Sequence, residues 1–459
     1  GSEMCIRDRY NFKENNVVKK YYIKTFGCQM NVYDSQRIAA ILKNLGYEEA
    51  PTPKAADLII FNTCHIREKA AEKVFSDLGR INLIKQERAE DGKDTVIGVV
   101  GCVVQAEDSE IAKRAPFVDF ATGPLTYHRL PEILSRVARK RGISIIDTEF
   151  PAVAKFDSLP ENRAEGGLSY LAIQEGCNNF CTYCVVPYTR GVEYSRPVAS
   201  VLREARRLVE TGSVEINFLG QNVNSYHGED ENGRERNLAY LLRRIAEIDG
   251  LQRIRYTTSY PADVDDDLIA CHRDLKKLMP YLHLPIQSGS DRILRAMNRR
   301  HNSSDYLRIV EKLQQANPAL RMSSDFIVGF PGETDEDFRA TLDVVDRVKY
   351  IQAFSFKYSR RPGTPAAVMN GQVEEKVKKE RLEILQNLLF SYQLKFNKEC
   401  LGKIMPVLFE TRGRHAGQLI GRTPYMQNLH AKLDKEKLNK IINVRVTEAT
   451  TNSLSGEPV

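Results

Sequence analysis

The chain has 459 residues, 42% of them apolar, and a net charge of +7, which is room for roughly two to four domains and more than one hydrophobic core. Its longest apolar runs, such as 96–104, fall far short of the about 20 residues that cross a bilayer, and the polar first residues show no secretion signal, so no membrane-spanning helix and a cytoplasmic location are expected. The charge permits a polyanionic partner without demanding one, and nine cysteines in a reducing compartment are not expected to pair as disulfides.

Residues 1–10, with Cys5, are unlike the rest of the chain, and Gly1-Ser2 resembles a cloning scar; a leader over 1–19 is set aside. A domain over 20–150 then repeats one pattern. Three short runs rich in β-branched and aromatic residues each end in a cysteine: 21–28 on Cys28, 58–64 on Cys64 and 96–102 on Cys102. Their length and composition predict buried strands. Helical periodicity follows over 33–45, where Asp34 or Ser35 can cap, over 66–83, and over a shorter stretch, 107–115. Such alternation predicts a parallel sheet with crossover helices. In that architecture the carboxyl ends of the strands share one edge, and ligands bind there. All three cysteines fall on it, so their separation along the chain is no obstacle to their meeting.

Proline, asparagine and glycine recur between 151 and 167 and mark a linker. A second strand–helix series fills 168–396. Candidate strands lie at 168–174, 214–219, 253–258, 281–286, 322–328 and 351–356, with helices at 199–211, 238–248, 303–316 and 335–348. Six β/α units predict a partial (β/α)6 barrel with its chemistry on the loops after the strands. The overall class is α/β. Helix 374–397 places Val377, Leu382, Leu385, Leu388, Leu389, Tyr392 and Phe396 on one apolar face. The last segment, 397–459, reads as a small β domain; from 401 onward it holds nine Lys/Arg against five Asp/Glu.

Cys177, Cys181 and Cys184 form a CxxxCxxC motif just after the first strand of the second series. Three thiolates on one loop bind three irons of a cubane cluster, one short of a full set. The remaining iron keeps open coordination for a small molecule. Zinc is the alternative, but a structural zinc takes four protein ligands, and the next histidine downstream is His227. A single buried cysteine at a strand end means little, because Cys is among the most buried residue types; three at equivalent points of one edge indicate a second three-thiolate site. Cys271 and Cys400 read as buried thiols, and His65 and His283 as core or loop histidines without a catalytic role.

The CxxxCxxC loop resembles that of the radical S-adenosylmethionine (AdoMet) superfamily. The words Thr25-Phe26-Gly27-Cys28-Gln29-Met30-Asn31, Asn62-Thr63-Cys64-His65-Ile66-Arg67-Glu68-Lys69-Ala70 and Val100-Gly101-Cys102 look like its methylthiotransferase family, as does the stretch 176–191. The resemblance covers 20–455. It implies two [4Fe-4S] clusters, one auxiliary on Cys28, Cys64 and Cys102 and one on Cys177, Cys181 and Cys184, and two molecules of AdoMet per turnover. One AdoMet methylates a sulfide at the auxiliary cluster. The other is cleaved to a radical that takes hydrogen from C2 of an adenine, and the adenine then receives the methylthio group. The resemblance further implies AdoMet contacts from Tyr183, from Gly220, Gln221 and Asn222 at the amino group, from Gln287 and Ser288 at the ribose, and from Ile327 and Gly329 at the adenine. It implies a TRAM-like RNA-binding barrel over 397–459, in which Arg412, Arg414, Arg422 and Lys432 would meet phosphates. Gln29-Met30-Asn31 and Arg67-Glu68-Lys69-Ala70 favour the members that act on N6-dimethylallyladenosine next to the anticodon of tRNA. The alternatives are members acting on threonylcarbamoyladenosine or on a ribosomal-protein aspartate and, from another class, a non-enzymatic zinc and nucleic-acid-binding protein. Expected partners are the tRNA anticodon stem-loop and an electron donor such as flavodoxin or ferredoxin; a monomer is expected.

Overall fold

The computed structural model describes residues 18–64, 68–139, 144–150 and 155–459. Most of the expected leader, residues 65–67 of the second cysteine word and the first part of the expected linker lie outside them. The fold is α/β, and the chain divides into two compact units, Gly1–Pro160 and Glu161–Val459.

The first unit alternates strand and helix: β1 (Lys20–Thr25), α1 (Gln29–Asn44), β2 (Glu48–Glu49), β3 (Leu58–Thr63), α2 (Glu68–Glu90), β4 (Val96–Gly101), α3 (Cys102–Arg114), β5 (Phe120–Thr122), α4 (Leu130–Arg139) and β6 (Ile145–Asp147). All pairings are parallel, in the order β2-β1-β3-β4-β5-β6. β3 is buried along its whole length, as a parallel strand covered by helices on both faces must be. Alternation along it splits the core in two. Ile59 and Phe61 pack with Val74 and Leu78 of α2 and Val103 of α3; Leu58 and Ile60 pack with Ile38 and Leu42 of α1 and Leu130 of α4.

Three of these strands, β1, β3 and β4, are legible in the sequence. β2, β5 and β6 are not, because at two or three residues they are too short to carry a period. The helix starts also shift. α1 begins at Gln29 with Cys28 as N-cap, and neither Asp34 nor Ser35 caps it. Asp34 is buried against the Lys155 ammonium at 3.3 Å and the Tyr127 hydroxyl at 3.1 Å, while Ser35 bonds Thr25 and Asn62. α2 runs to Glu90, and α3 starts at Cys102 and kinks at Glu107. Lys155, inside the expected linker, is buried and also donates to the Pro124 carbonyl at 2.9 Å.

The second unit comprises β7 (Leu168–Ala172), β8 (Gln174–Glu175), α5 (Val186–Arg190), β9 (Tyr194–Ser195), α6 (Val198–Glu210), β10 (Glu215–Leu219), β11 (His227–Glu229), β12 (Glu235–Asn237), α7 (Leu238–Ala246), β13 (Arg253–Tyr256), α8 (Asp266–Asp274), β14 (Tyr281–His283), α9 (Asp291–Ala296), α10 (Ser303–Ala316), β15 (Arg321–Val328), α11 (Asp335–Val348), β16 (Gln352–Lys357), α12 (Pro365–Val368) and α13 (Glu375–Glu399). β17 (Ile404–Arg412), β18 (Gln418–Arg422), β19 (Asn428–Lys432), β20 (Ile441–Ala449) and β21 (Ser453–Pro458) follow. The six parallel strands expected from the sequence are β7, β10, β13, β14, β15 and β16. They form two arcs, β7-β10-β13 and β14-β15-β16, joined by a bridge between Ile254 and Leu278. Their outer faces share one core with the helices: Leu171, Phe218, Leu282 and Phe326 pack with Leu202, Leu241, Val345 and Leu385.

β17 to β21 close into a barrel in the order β17-β18-β19-β21-β20, filled by Val407, Phe409, Leu429, Val444 and Leu454. A buried charge cluster fastens it to the arcs. Glu215 of β10 meets Arg255 at 2.7 Å and Arg253 at 3.3 Å, with all three side chains no more than 3% exposed. The guanidiniums then donate to four barrel carbonyls, Arg253 to Pro406 and Arg422, Arg255 to Thr423 and Pro424. Buried charges persist when they are paired and hydrogen-bonded in this way.

Candidate functional site

In the first unit the strand order reverses at β1, which pairs with β2 on one side and β3 on the other. Ligands bind at the carboxyl ends of strands flanking such a switch point. Cys28 follows β1, Cys64 follows β3 and Cys102 follows β4. Register brings the last two level, since Thr63 pairs with Gly101 immediately before them. Gly27 brings the first one in: its φ is +108°, and a Cβ there would stand 2.2 Å from Cys64 Cβ and 2.8 Å from Cys64 Sγ. Only glycine combines that backbone with that approach.

Two buried asparagines hold this edge together. Asn31 Nδ2 donates to the carbonyls of Phe26 at 2.9 Å and Thr63 at 2.8 Å. Asn62 Nδ2 donates to the Asn31 carbonyl at 2.8 Å. Thr63 Oγ1 donates to the Val100 carbonyl at 2.8 Å. Cys28 caps α1 and Cys102 opens α3, so two helix N-termini face this edge and favour anionic sulfur.

In the second unit the CxxxCxxC loop leaves β8 through Gly176, at φ +78°, where any Cβ would strike the Val192 carbonyl at 2.0 Å. Gln174 sets the loop's base: its amide donates to the Gly176 carbonyl at 2.8 Å, and its oxygen accepts from Gln221 and Asn222 backbone N–H groups at 2.9 and 3.1 Å. Gln221 in turn accepts from Gly176 N at 2.6 Å. The segment after α9 clamps the loop's far side. Thr182 N donates to the Met297 carbonyl at 3.1 Å, Asn298 Nδ2 reaches the carbonyls of Asn179 and Phe180, and Arg299 Nη1 lies 3.8 Å from Cys181 Sγ. Burial, then the neighbouring Cys181 thiol, pushes the Cys184 thiol up to about 12. Burial works against the Arg299 charge, but Tyr183, Cys181 and Tyr260 outweigh it and raise its pKa. The loop is thus a crowded thiol site in which burial disfavours the free Cys184 thiolate, with one fixed cation, Arg299, beside Cys181. Among the described residues no three His, Cys, Asp or Glu side chains form a metal-holding group, and no disulfide links the described cysteines.

The other expected residues fall in different places. Tyr183 and Ile327 share an apolar cluster with Ile293, Met297 and Phe330. Gln221 and Asn222 stand at the base of the cysteine loop. Asn222 is 2% exposed; its amide nitrogen donates to Asp263 at 2.7 Å, while its Oδ1 has no hydrogen-bond partner. It lines a cleft of about 500 Å³ with Phe180, Glu193, His227, Asp263 and Arg300. Gln287 continues the pairing of β15 at a φ of +78°. The Ser288 hydroxyl is engaged by Ser290 N and Thr341. Gly329 lies against the Lys378 side chain of α13, and its N–H donates to Glu333 at 2.7 Å. Of the four basic barrel residues, Arg412, Arg414 and Lys432 share one end, where Arg412 pairs with Leu419 and Gln418 with Lys432. Arg422 lies at the other end, beside Glu410, with its carbonyl held by Arg253.

Arg299, Asn298, Gln174 and Asn62 are not expected from the sequence. Only Asn62 carries a local signal, as the residue two before a cysteine.

Three family models match the chain. The Radical SAM superfamily matches residues 171–345, the Uncharacterized protein family UPF0004 matches 20–123, and the TRAM domain matches 398–459. Among solved structures, the radical S-adenosylmethionine methyltransferase TsrM from Kitasatospora setae, with cobalamin and a [4Fe-4S] cluster bound, is 14% identical with a TM-score of 0.56, over 77% of this chain and 74% of that one. The cobalamin-dependent S-adenosylmethionine radical enzyme OxsB is 12% identical with a TM-score of 0.53, over 84% of this chain and 62% of that one. At these identities the likeness is one of fold.

Proposed function

The chain belongs to the radical SAM methylthiotransferase family, whose three modules it carries in order, and from that premise we propose that it adds a methylthio group to C2 of N6-dimethylallyladenosine next to the anticodon in tRNA. The observation that carries the reading is that each unit has its own set of three cysteines, one at the switch point of a doubly wound sheet and one on the loop after β8. Three thiolates leave one iron of a cubane exchangeable, and the proposed reaction needs that twice, for AdoMet and for sulfur.

Cys177, Cys181 and Cys184 would hold the cluster that binds AdoMet, and Cys28, Cys64 and Cys102 the auxiliary one. When bound, these groups would supply the radical and the methylthio sulfur, because an aromatic C2–H is neither acidic nor open to an ordinary nucleophile. The chain's own residues position them. Arg299, 3.8 Å from Cys181 Sγ, would offset the charge of a bound cluster, Gln174 and Asn298 fix the loop, and Asn31 and Asn62 fix the auxiliary edge. The orphaned Asn222 Oδ1 fits an ammonium donor, in keeping with AdoMet's amino group. Tyr183 and Ile327 suit its adenine by their apolar setting. Arg412, Arg414 and Lys432 would meet the anticodon stem from one end of the barrel, a role that the placement of Arg422 does not favour. A cytoplasmic monomer served by a flavodoxin or ferredoxin completes the proposal. No described helix is long and apolar enough to cross a membrane.

Gln29-Met30-Asn31 favours this substrate over threonylcarbamoyladenosine or a protein aspartate. Nucleosides from a deletion strain, read by mass spectrometry, test it. Loss of the methylthio-dimethylallyl nucleoside alone is expected; an unchanged nucleoside profile overturns it. Anaerobic reconstitution addresses the zinc alternative, with about eight irons per chain expected for two cubanes.

A further inference from the structure

The inner face of β14, β15 and β16 carries a group of side chains of which only Ile327 has been given a role above, at AdoMet's adenine. The outer face is settled by the core: Leu282, Met322, Phe326 and Val328 pack into it, with Ala353 against it. Strand alternation turns Tyr281, His283, Ser323, Asp325, Ile327, Gln352 and Phe354 the other way. Register lines them up, His283 beside Ser323 and Asp325 beside Phe354.

This face is polar and aromatic at once. His283 Nδ1 lies 3.0 Å from Ser323 Oγ, and its Nε2 lies 3.6 Å from Asp325 Oδ2. The Phe354 ring meets the imidazole nearly edge-on, with centroids 6.1 Å apart at 74°. Phe354 nevertheless remains 43% exposed, although it projects from the concave side of a sheet. Ile327, two residues beyond Asp325 on the same face, packs against the apolar cluster of Ile293, Met297 and Phe330, and so does Tyr183, which stands between Cys181 and Cys184. Two residues of strand rise span about 7 Å, which is the step from Asp325 to the residue that shares an apolar cluster with Tyr183 of the cysteine loop.

We propose that Phe354, His283 and Asp325 form the seat of the target nucleobase, with Phe354 as its stacking platform and the His283–Asp325 pair as its hydrogen-bonding edge. The inference rests on the tRNA reading and deepens it. An exposed aromatic ring beside fixed polar groups is how proteins hold a base splayed out of a loop. An adenine carrying one N6–H matches the edge, giving its hydrogen to the Asp325 carboxylate and a ring nitrogen to an imidazole N–H. The seat would bring C2 within reach of chemistry at the loop above. His283, which the sequence offered as a core or loop histidine, thereby becomes a substrate-binding residue.

The test uses the full-length, cluster-loaded protein and a synthetic anticodon stem-loop carrying N6-dimethylallyladenosine. Binding is followed by fluorescence anisotropy and modification by mass spectrometry. Phe354→Ala is expected to bind the stem-loop about tenfold more weakly, the loss of one stacked base, and Phe354→Tyr to restore binding. Asp325→Asn is expected to lose the wild-type preference for adenine over hypoxanthine at the target position, a change that a merely structural role would not produce. Melting curves and iron content establish that each variant is folded; if Phe354→Ala is not, Phe354→Leu and the base preference of Asp325→Asn decide. A wild type that modifies the stem-loop while folded Phe354→Ala and Asp325→Asn match it overturns the seat alone. Loss of AdoMet affinity with RNA affinity intact also overturns it and assigns the face to AdoMet's adenine. A wild type that cleaves AdoMet but ignores the stem-loop overturns the tRNA reading and the seat with it.

Discussion

Glu215→Ala tests how the barrel is held to the arcs. Glu215 is 1% exposed and sits between two guanidiniums that are each 3% exposed, so solvent screens little of what the substitution removes. Breaking such a buried pair from one side costs about 3–5 kcal/mol, chiefly because the partner charges stay buried and uncompensated. At roughly 2 °C per kcal/mol for a unit of this size, the melt of the second unit should fall by about 6–10 °C. Buried ion clusters can often be replaced whole by apolar residues without loss, but this one serves four barrel carbonyls as well. Each carbonyl orphaned by the change would cost about 1–3 kcal/mol. The triple variant Glu215→Leu, Arg253→Met, Arg255→Met should therefore melt no higher than Glu215→Ala, and limited proteolysis should cut more readily between α13 and β17. Calorimetry and proteolysis of purified protein give both readings. A loss below about 1 kcal/mol for Glu215→Ala, or wild-type stability in the triple variant, would refute this account of the junction.

Cys181→Ala should abolish 5′-deoxyadenosine formation from AdoMet. Cys64→Ala should still form it but transfer no methylthio group, with iron falling from about eight to about four per chain; equal sulfur transfer from wild type and Cys64→Ala would sink the second cluster. Asn31→Ala removes the donor that spans the ends of β1 and β3 and should cost roughly 2–3 kcal/mol, seen as an earlier chemical denaturation midpoint in the first unit. Stability should also depend on pH through His272. Burial lowers its pKa from 6.5 to about 4, and its Nε2 lies 2.6 Å from the Tyr256 hydroxyl, so the folded protein holds it neutral. Because the folded value lies below the unfolded one, the unfolded chain binds the extra proton first. The contribution is complete above about pH 6.5 and falls away towards pH 4, by roughly 3 kcal/mol in all. His272→Phe should flatten that part of the stability–pH curve, and an unchanged slope would count against it.

The chain by itself determined what depends on neighbours in sequence. Buried strands such as 58–63 and 96–101 announce themselves because a parallel strand covered on both faces must be apolar throughout. The CxxxCxxC loop is legible because its three thiols are within eight residues, and the strand-end position of the other three cysteines followed from the alternation of strand and helix. Tertiary structure alone decided the rest. β2, β5 and β6 exist because longer neighbours template their few hydrogen bonds. Arg299 reaches Cys181 across 118 residues, and Arg422 parts from Arg412 because barrel strands run antiparallel. Phe354 meets His283 only because two strands far apart in sequence flank a third in register. Periodicity says that a side chain faces inward; which partner it finds there is a matter of register, and register is set by packing over the whole sheet.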